Sequence, residues 1–153
     1  MKKLGIITQQ IANDQKHISI IKSLNTISEK ERGLDCILFY ADMGLMQEPN
    51  YFALMSIIET LDYDGILIAT DIMSGLLLQN CLMAKKKYFY IWDLEWYHTS
   101  RTSSFIQQLY TSDEVELIVR SEDHAKIVER IFKKPKHIIE EFNHEQIEKL
   151  IYS

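Results

Sequence analysis

Short apolar runs of strand length alternate along this chain with stretches whose apolar residues recur every three or four positions. That alternation is the pattern of a parallel sheet joined by crossover helices. Residues 4–8, 35–40, 66–70, 88–92, 115–120 and 136–141 read as strands, and Ile66-Leu67-Ile68-Ala69-Thr70 is the clearest of them. Continuous apolar runs of this kind belong to strands covered on both faces. Residues 15–30 read as a helix with Ile18, Ile21, Leu24 and Ile27 on one side. Further helices are expected over 51–61, 71–84, 104–111 and 121–132, and a last one ends at Tyr152. Ser121 stands at an N-cap position ahead of Glu122 and Asp123, and Asn143 precedes Gln146 by three, as in a capping box. Residues 41–50 hold Gly44 and Pro49 and read as loop.

The expected product is one three-layer, Rossmann-like α/β domain over residues 1–153, with a mostly parallel sheet of about six strands. Its core should include Ile6, Ile7, Leu24, Phe39, Leu67, Leu77, Phe89, Ile118, Ile127 and Ile138. The composition agrees with a globular chain: 46% apolar, 25% charged, five Gly and two Pro in 153 residues. A net charge of −5 gives no support to DNA binding through bulk positive charge. Cys36 and Cys81 are the only thiols, so neither a disulfide framework nor a zinc site is expected. No apolar run approaches the ~18 residues of a membrane span, and Met1 to Ile7 turns polar too soon for a signal peptide. A cytoplasmic protein is expected.

Right-handed crossovers place every strand's C-terminal end on one edge of the sheet, where open α/β sheets bind their ligands. Thr8-Gln9-Gln10, Ala41-Asp42, Thr70-Asp71, Asp93, Arg120-Ser121 and Phe142-Asn143 should lie there. No G-x-G-x-x-G follows the first strand and no phosphate-binding P-loop occurs, so no nucleotide cofactor is expected. The clustered carboxylates and Lys of a phosphoacceptor are missing, as is a G-x-S-x-G elbow, and the five His show no metal-ligand spacing. What remains is the edge itself. Asp93 ends a strand beside Trp92, Trp96 and Tyr97, where a carboxylate can take a proton from a hydroxyl; it reads equally as a turn cap. Gln9 and Asp71 are ligand contacts or, for Asp71, the N-cap of the next helix. Arg120 and Ser121 can meet an anion, or Arg120 can pair with Glu122 or Asp123. Lys85-Lys86-Lys87 reads as a solvated turn at the opposite edge.

The order of elements resembles the N-terminal half of GT-B glycosyltransferases. Val115 to Ala125 is similar to the late strand and Ser-capped helix of those domains, and His137 to Asn143 to the short strand before their interdomain linker. Within that class, Tyr63 to Ile68, Met83 to Lys87 and Lys87 to Asp93 look most like bacteriophage DNA β-glucosyltransferases. The resemblance implies that Asp93 is the base and that Trp96 or Tyr97 helps hold the acceptor. It also implies that a nucleotide-sugar is bound by a donor-binding partner chain, because the sequence ends where that second domain begins. The competing expectation is a non-catalytic binding or assembly module of the same fold; a small nucleotide-binding regulator ranks last. In either of the first two cases Met43, Leu45, Met46, Trp96 and Tyr97 should form an association surface, with a second copy or with a partner chain.

Overall fold

Leu4 and Ile6 are fully buried on one face of the sheet and Ile7 on the other, so the first strand is enclosed from both sides. In the computed structural model, which describes residues 1–30, 33–46, 48–98 and 103–153, this strand runs over Lys2–Ile11 (β1). It is followed by α1 (Gln15–Lys30), β2 (Leu34–Met43), β3 (Ala53–Ser56), β4 (Ile66–Ala69) and α2 (Ile72–Leu78). Then come β5 (Lys86–Ile91), α3 (Ser103–Thr111), β6 (Val115–Val119), α4 (Glu122–Ile131), β7 (His137–Ile138) and α5 (His144–Tyr152). The strands form one seven-stranded sheet in the order β3-β2-β1-β4-β5-β6-β7, with every pairing parallel.

Helices cover both faces. On one, Ile20, Leu24 and Ile27 of α1 and Ile147, Leu150 and Ile151 of α5 pack on Leu4, Ile6, Leu38, Ile68 and Tyr90. On the other, α2, α3 and α4 bring Ile72, Leu78, Ile106, Leu109, Tyr110 and Val128 onto Ile7, Phe39, Leu67, Phe89 and Leu117. This is the expected Rossmann-like three-layer α/β arrangement, with one strand more than the sequence suggests.

The additional strand corrects the helix expected over 51–61. Asn25 on α1 donates from Nδ2 to the Pro49 carbonyl at 2.8 Å and accepts the Tyr51 amide at 2.8 Å. These bonds deliver Ala53–Ser56 alongside β2 as an edge strand, and only Ile57–Asp62 turns helical, as a 3-10 segment. A short apolar run fits either period, so tertiary contacts decide. α2 likewise ends at Leu78 rather than at 84. β5 must begin at Lys86, opposite Ile66, and residues 79–85 are spent bringing the chain back, with the Lys85 amide tied to the Gly65 carbonyl at 2.9 Å. Lys86 and Lys87 therefore belong to β5 and not to a solvated turn; Lys87 is buried, its ammonium 3.4 Å from Glu114.

Three expected core residues give way to their C-terminal neighbours. Leu77 and Ile127 are half-buried and Ile138 is 38% exposed, whereas Leu78, Val128 and Ile139 are enclosed. The sixth expected strand shrinks to His137–Ile138 because Glu141 and Phe142 take positive φ of 47° and 55°. Neither is glycine, so that bend costs conformational energy. Tyr90 offsets it: its hydroxyl donates to the Ile139 carbonyl and accepts the Phe142 amide at 3.1 Å.

Tyr90→Phe keeps the ring but strands a buried carbonyl and amide, and is expected to lower stability by about 1–3 kcal/mol. Tyr51→Phe, at a ring 63% exposed, should change it little. Urea denaturation of both variants checks this; equal midpoints would refute it.

Candidate functional site

β1 and β4 are neighbours, but α1 leaves β1 over one face of the sheet and α2 leaves β4 over the other. Between the two departing chains lies the switch point at which open α/β sheets form a crevice. A cavity of about 380 Å³ occupies it, bordered by Thr8, Gln9 and Gln10 from β1, Asp14, Lys16 and His17 around the start of α1, and Asp71 to Met73 with Leu76 at α2. Glu95, in the 3-10 turn Glu95–His98 after β5, closes the far side.

Asp71 does two jobs. Its Oδ1 accepts the Ser74 amide at 2.8 Å, and the Ser74 hydroxyl accepts the Asp71 amide at 3.2 Å, a complete capping box on α2. Its Oδ2 accepts the Gln9 amide at 2.8 Å and so ties the end of β1 to the end of β4. Asp71 is thus the N-cap of α2, and it also borders the cleft.

Asp14 caps α1 through the His17 amide at 2.9 Å and also accepts from His17 Nδ1 at 2.7 Å. A carboxylate only accepts, so Nδ1 carries the proton; in the neutral ring Nε2 accepts the Thr8 hydroxyl at 2.9 Å, a hydroxyl that also lies 3.3 Å from Asp71 Oδ2 and from the Gln10 carbonyl. Burial pushes His17 below its ordinary value, against the opposing pull of Asp14. Partial burial of Asp14 works against its ionisation, but the bonds from the His17 amide and ring outweigh it and hold its carboxyl low. Asp14, His17 and Thr8 have the connectivity of a carboxylate–base–hydroxyl relay. Thr8 is fully buried, however, so its hydroxyl cannot attack a ligand, and the relay holds the cleft floor in shape.

Glu95 accepts the Ile72 amide at 3.4 Å. Burial lifts its carboxyl above the usual range; the Ile72 amide and Lys16 oppose that lift, and the charges of Asp71 and Asp93 add to it. Lys16 reaches the Thr70 carbonyl at 3.3 Å.

The expected site residues separate into two groups. Gln9 and Asp71 line the cleft. Asp93 lies just past the end of β5 with its side chain 73% exposed, at the rim rather than in the lining. Arg120 stands 4.0 Å from Asp93, donates to the Trp92 carbonyl at 3.4 Å and lies 4.0 Å over the Trp92 ring. It pairs with neither Glu122 nor Asp123 in the way its sequence neighbours suggest; Asp123 faces Lys126 at 3.9 Å. Ser121 caps α4, accepting the His124 amide at 3.2 Å. Trp96 turns away from the cleft and packs edge-on against Tyr110 and Phe132 at 5.2 and 5.3 Å. The Tyr97 side chain and the polar stretch 99–102 lie outside the described residues. Asp14, Lys16, His17 and Glu95 escaped the sequence reading. An Asp three residues ahead of a His, at the mouth of the first crossover helix, was the signal that held two of them.

Among the described residues no group of three or more His, Cys, Asp or Glu is placed to hold a metal ion, and no helix is long and apolar enough to cross a membrane. Comparison with protein-family models, curated proteins and solved structures finds no match to this chain. Fold and cleft thus define its class: a Rossmann-like α/β protein with a switch-point cavity.

The His17 linkage has a definite sign. Below its ordinary value of 6.5 the unfolded ring takes up a proton that the buried ring resists. The unfolded state then binds more protons, so stability rises with pH through this window. The melting temperature is expected to fall on acidification from 6.5 toward about pH 5, and His17→Gln should flatten that slope. Parallel pH profiles for the two proteins would refute it.

Proposed function

We propose that this chain is the acceptor-side half of a glycosyltransferase, with the nucleotide-sugar donor held by a second unit. The observation that carries the reading is Asp93. Among the described residues its carboxylate has a polar contact with Arg120 at 4.0 Å and no backbone hydrogen bond of the kind a turn cap makes. It stands exposed at the strand edge, near enough to the cleft for its charge to act on Glu95. In this reading the acceptor occupies the cleft and its hydroxyl proton passes to Asp93. The acceptor oxygen then bonds to the anomeric carbon of the sugar, and the nucleoside diphosphate leaves with the electron pair of the broken bond.

A second reading, a binding or assembly module of the same fold, draws on one surface. Met43 and Leu45 are 48% and 72% exposed where β2 ends, and exposed apolar residues of this kind suit a second copy or a donor-domain chain. Met46 and Trp96 are half-buried against the core and supply less of that surface than the sequence suggests.

Transfer from a panel of nucleotide-sugars to hydroxyl acceptors, with a donor-binding domain supplied, tests the first reading. Asp93→Asn is expected to slow transfer by about 100- to 10,000-fold while leaving the melting temperature unchanged. A variant that transfers as fast as the parent, or that only loses stability, would overturn it.

A further inference from the structure

The two edges of the sheet are built differently. An open edge presents unpaired N–H and C=O groups to any strand that approaches, and proteins blunt it with short strands, charge, proline or a bulge. β7 uses three of these devices. It is two residues long, Pro135 and Lys136 precede it, and Lys136 and His137 both meet Glu116, at 3.0 and 2.9 Å. The positive-φ bend at Glu141 and Phe142 then carries the chain off that edge.

β3, at the other end of the strand order, uses none of them. Its residues pair with Ile37 to Tyr40 in unbroken register, so no bulge twists it aside. Between Glu48 and Glu59 no charged residue occurs, in a chain whose net charge is −5, and no proline lies within the strand. Among the described residues no side chain or loop bonds to the backbone of Ala53–Ser56 from the open side. Phe52 and Leu54 pack on the α1 side of the sheet, which turns Ala53 and Met55 to the opposite face. The 3-10 segment that follows directly presents Ile58 and Leu61, three apart and so on one side of it. Met55, Ile58 and Leu61 are all exposed, Ile58 by 70%.

What covers such an edge must be a strand, and a second copy supplies one of matching character. Pairings of β3 on β7, or of β7 on β7, fail on the length and the charges of β7. β3 against its own copy, antiparallel about a two-fold axis, brings neutral strand to neutral strand and closes at two copies. The exposed parts of Tyr51, Met55, Ile58 and Leu61, with the strand backbone, cover on the order of 1,000 Å² over both copies, the size of a weak, reversible interface.

We propose that this chain forms a reversible two-fold dimer in which the β3 strands of two copies pair antiparallel and join their sheets into one. The inference goes beyond both readings above. β2, β1 and β4 separate this edge from β5, which Asp93 follows, so transfer does not depend on it.

Sedimentation velocity of the whole chain between about 5 and about 500 µM tests this, with a shift from one copy to two expected across that range. Amides of Ala53–Ser56 that face the open side should exchange with deuterium more slowly at the higher concentration. Met55→Lys and Ile58→Lys place a charge on the neutral edge, and each is expected to weaken the dimer by about tenfold or more. Leu82→Lys, at an exposed side chain outside this edge, should associate like the parent. Urea midpoints establish that the variants fold; should neither lysine variant at the edge do so, amide exchange of the parent decides. A chain monomeric throughout, as it would be if a foreign peptide were the partner of this edge, would overturn the proposal. Growth beyond two copies, undiminished association in both folded edge variants, or exchange at residues 53–56 that ignores concentration would do so equally.

Discussion

The carboxylate of Asp71 ties the ends of β1 and β4 together at the switch point of the sheet. β1 and β4 are neighbours in mid-sheet whose following helices diverge to opposite faces. One oxygen of Asp71 starts α2 and the other takes the Gln9 amide of β1, at 2.8 Å in each case. Charge-assisted bonds to backbone amides are stronger than neutral ones. The bond to Gln9 joins the strand ends, and the bond to Ser74 starts the helix beside the cleft.

That closure also shapes the crevice. Of the amides at the start of α2, Ser74 is bonded to Asp71 and Ile72 to Glu95. The cavity is left acidic on one side and apolar on the other, with the Asp14–His17–Thr8 relay supporting it from below. Asp93 and Arg120 form a separate pair at the rim, coupled to the cleft through the field at Glu95.

The strand runs, the Ser121, Asn143 and Asp71 caps, and the placement of Gln9, Asp71 and Asp93 at one sheet edge were legible from residue pattern alone. Each follows from local chemistry: a continuous apolar run, a short polar side chain before a helix, a crossover of fixed hand. β3 was not legible, because its register comes from Asn25 on a helix 26 residues away from the Tyr51 amide that it binds. The one-residue displacement of the core at Leu78, Val128 and Ile139 has the same origin. Periodicity identifies a buried face, while packing against the sheet chooses which of two adjacent residues fills it.

The cleft divides in the same way. Residue types along the chain settled that a parallel sheet would form and that polar side chains would crowd its C-terminal edge. Only the folded chain decided that Asp14, His17 and Thr8 join into one relay, that Glu95 caps a helix beginning 23 residues earlier, and that Trp96 serves the α3–α4 face and not the cleft. Hydrogen bonds between groups far apart in sequence depend on distances that a parallel sheet sets across strands, and local pattern carries no record of those distances.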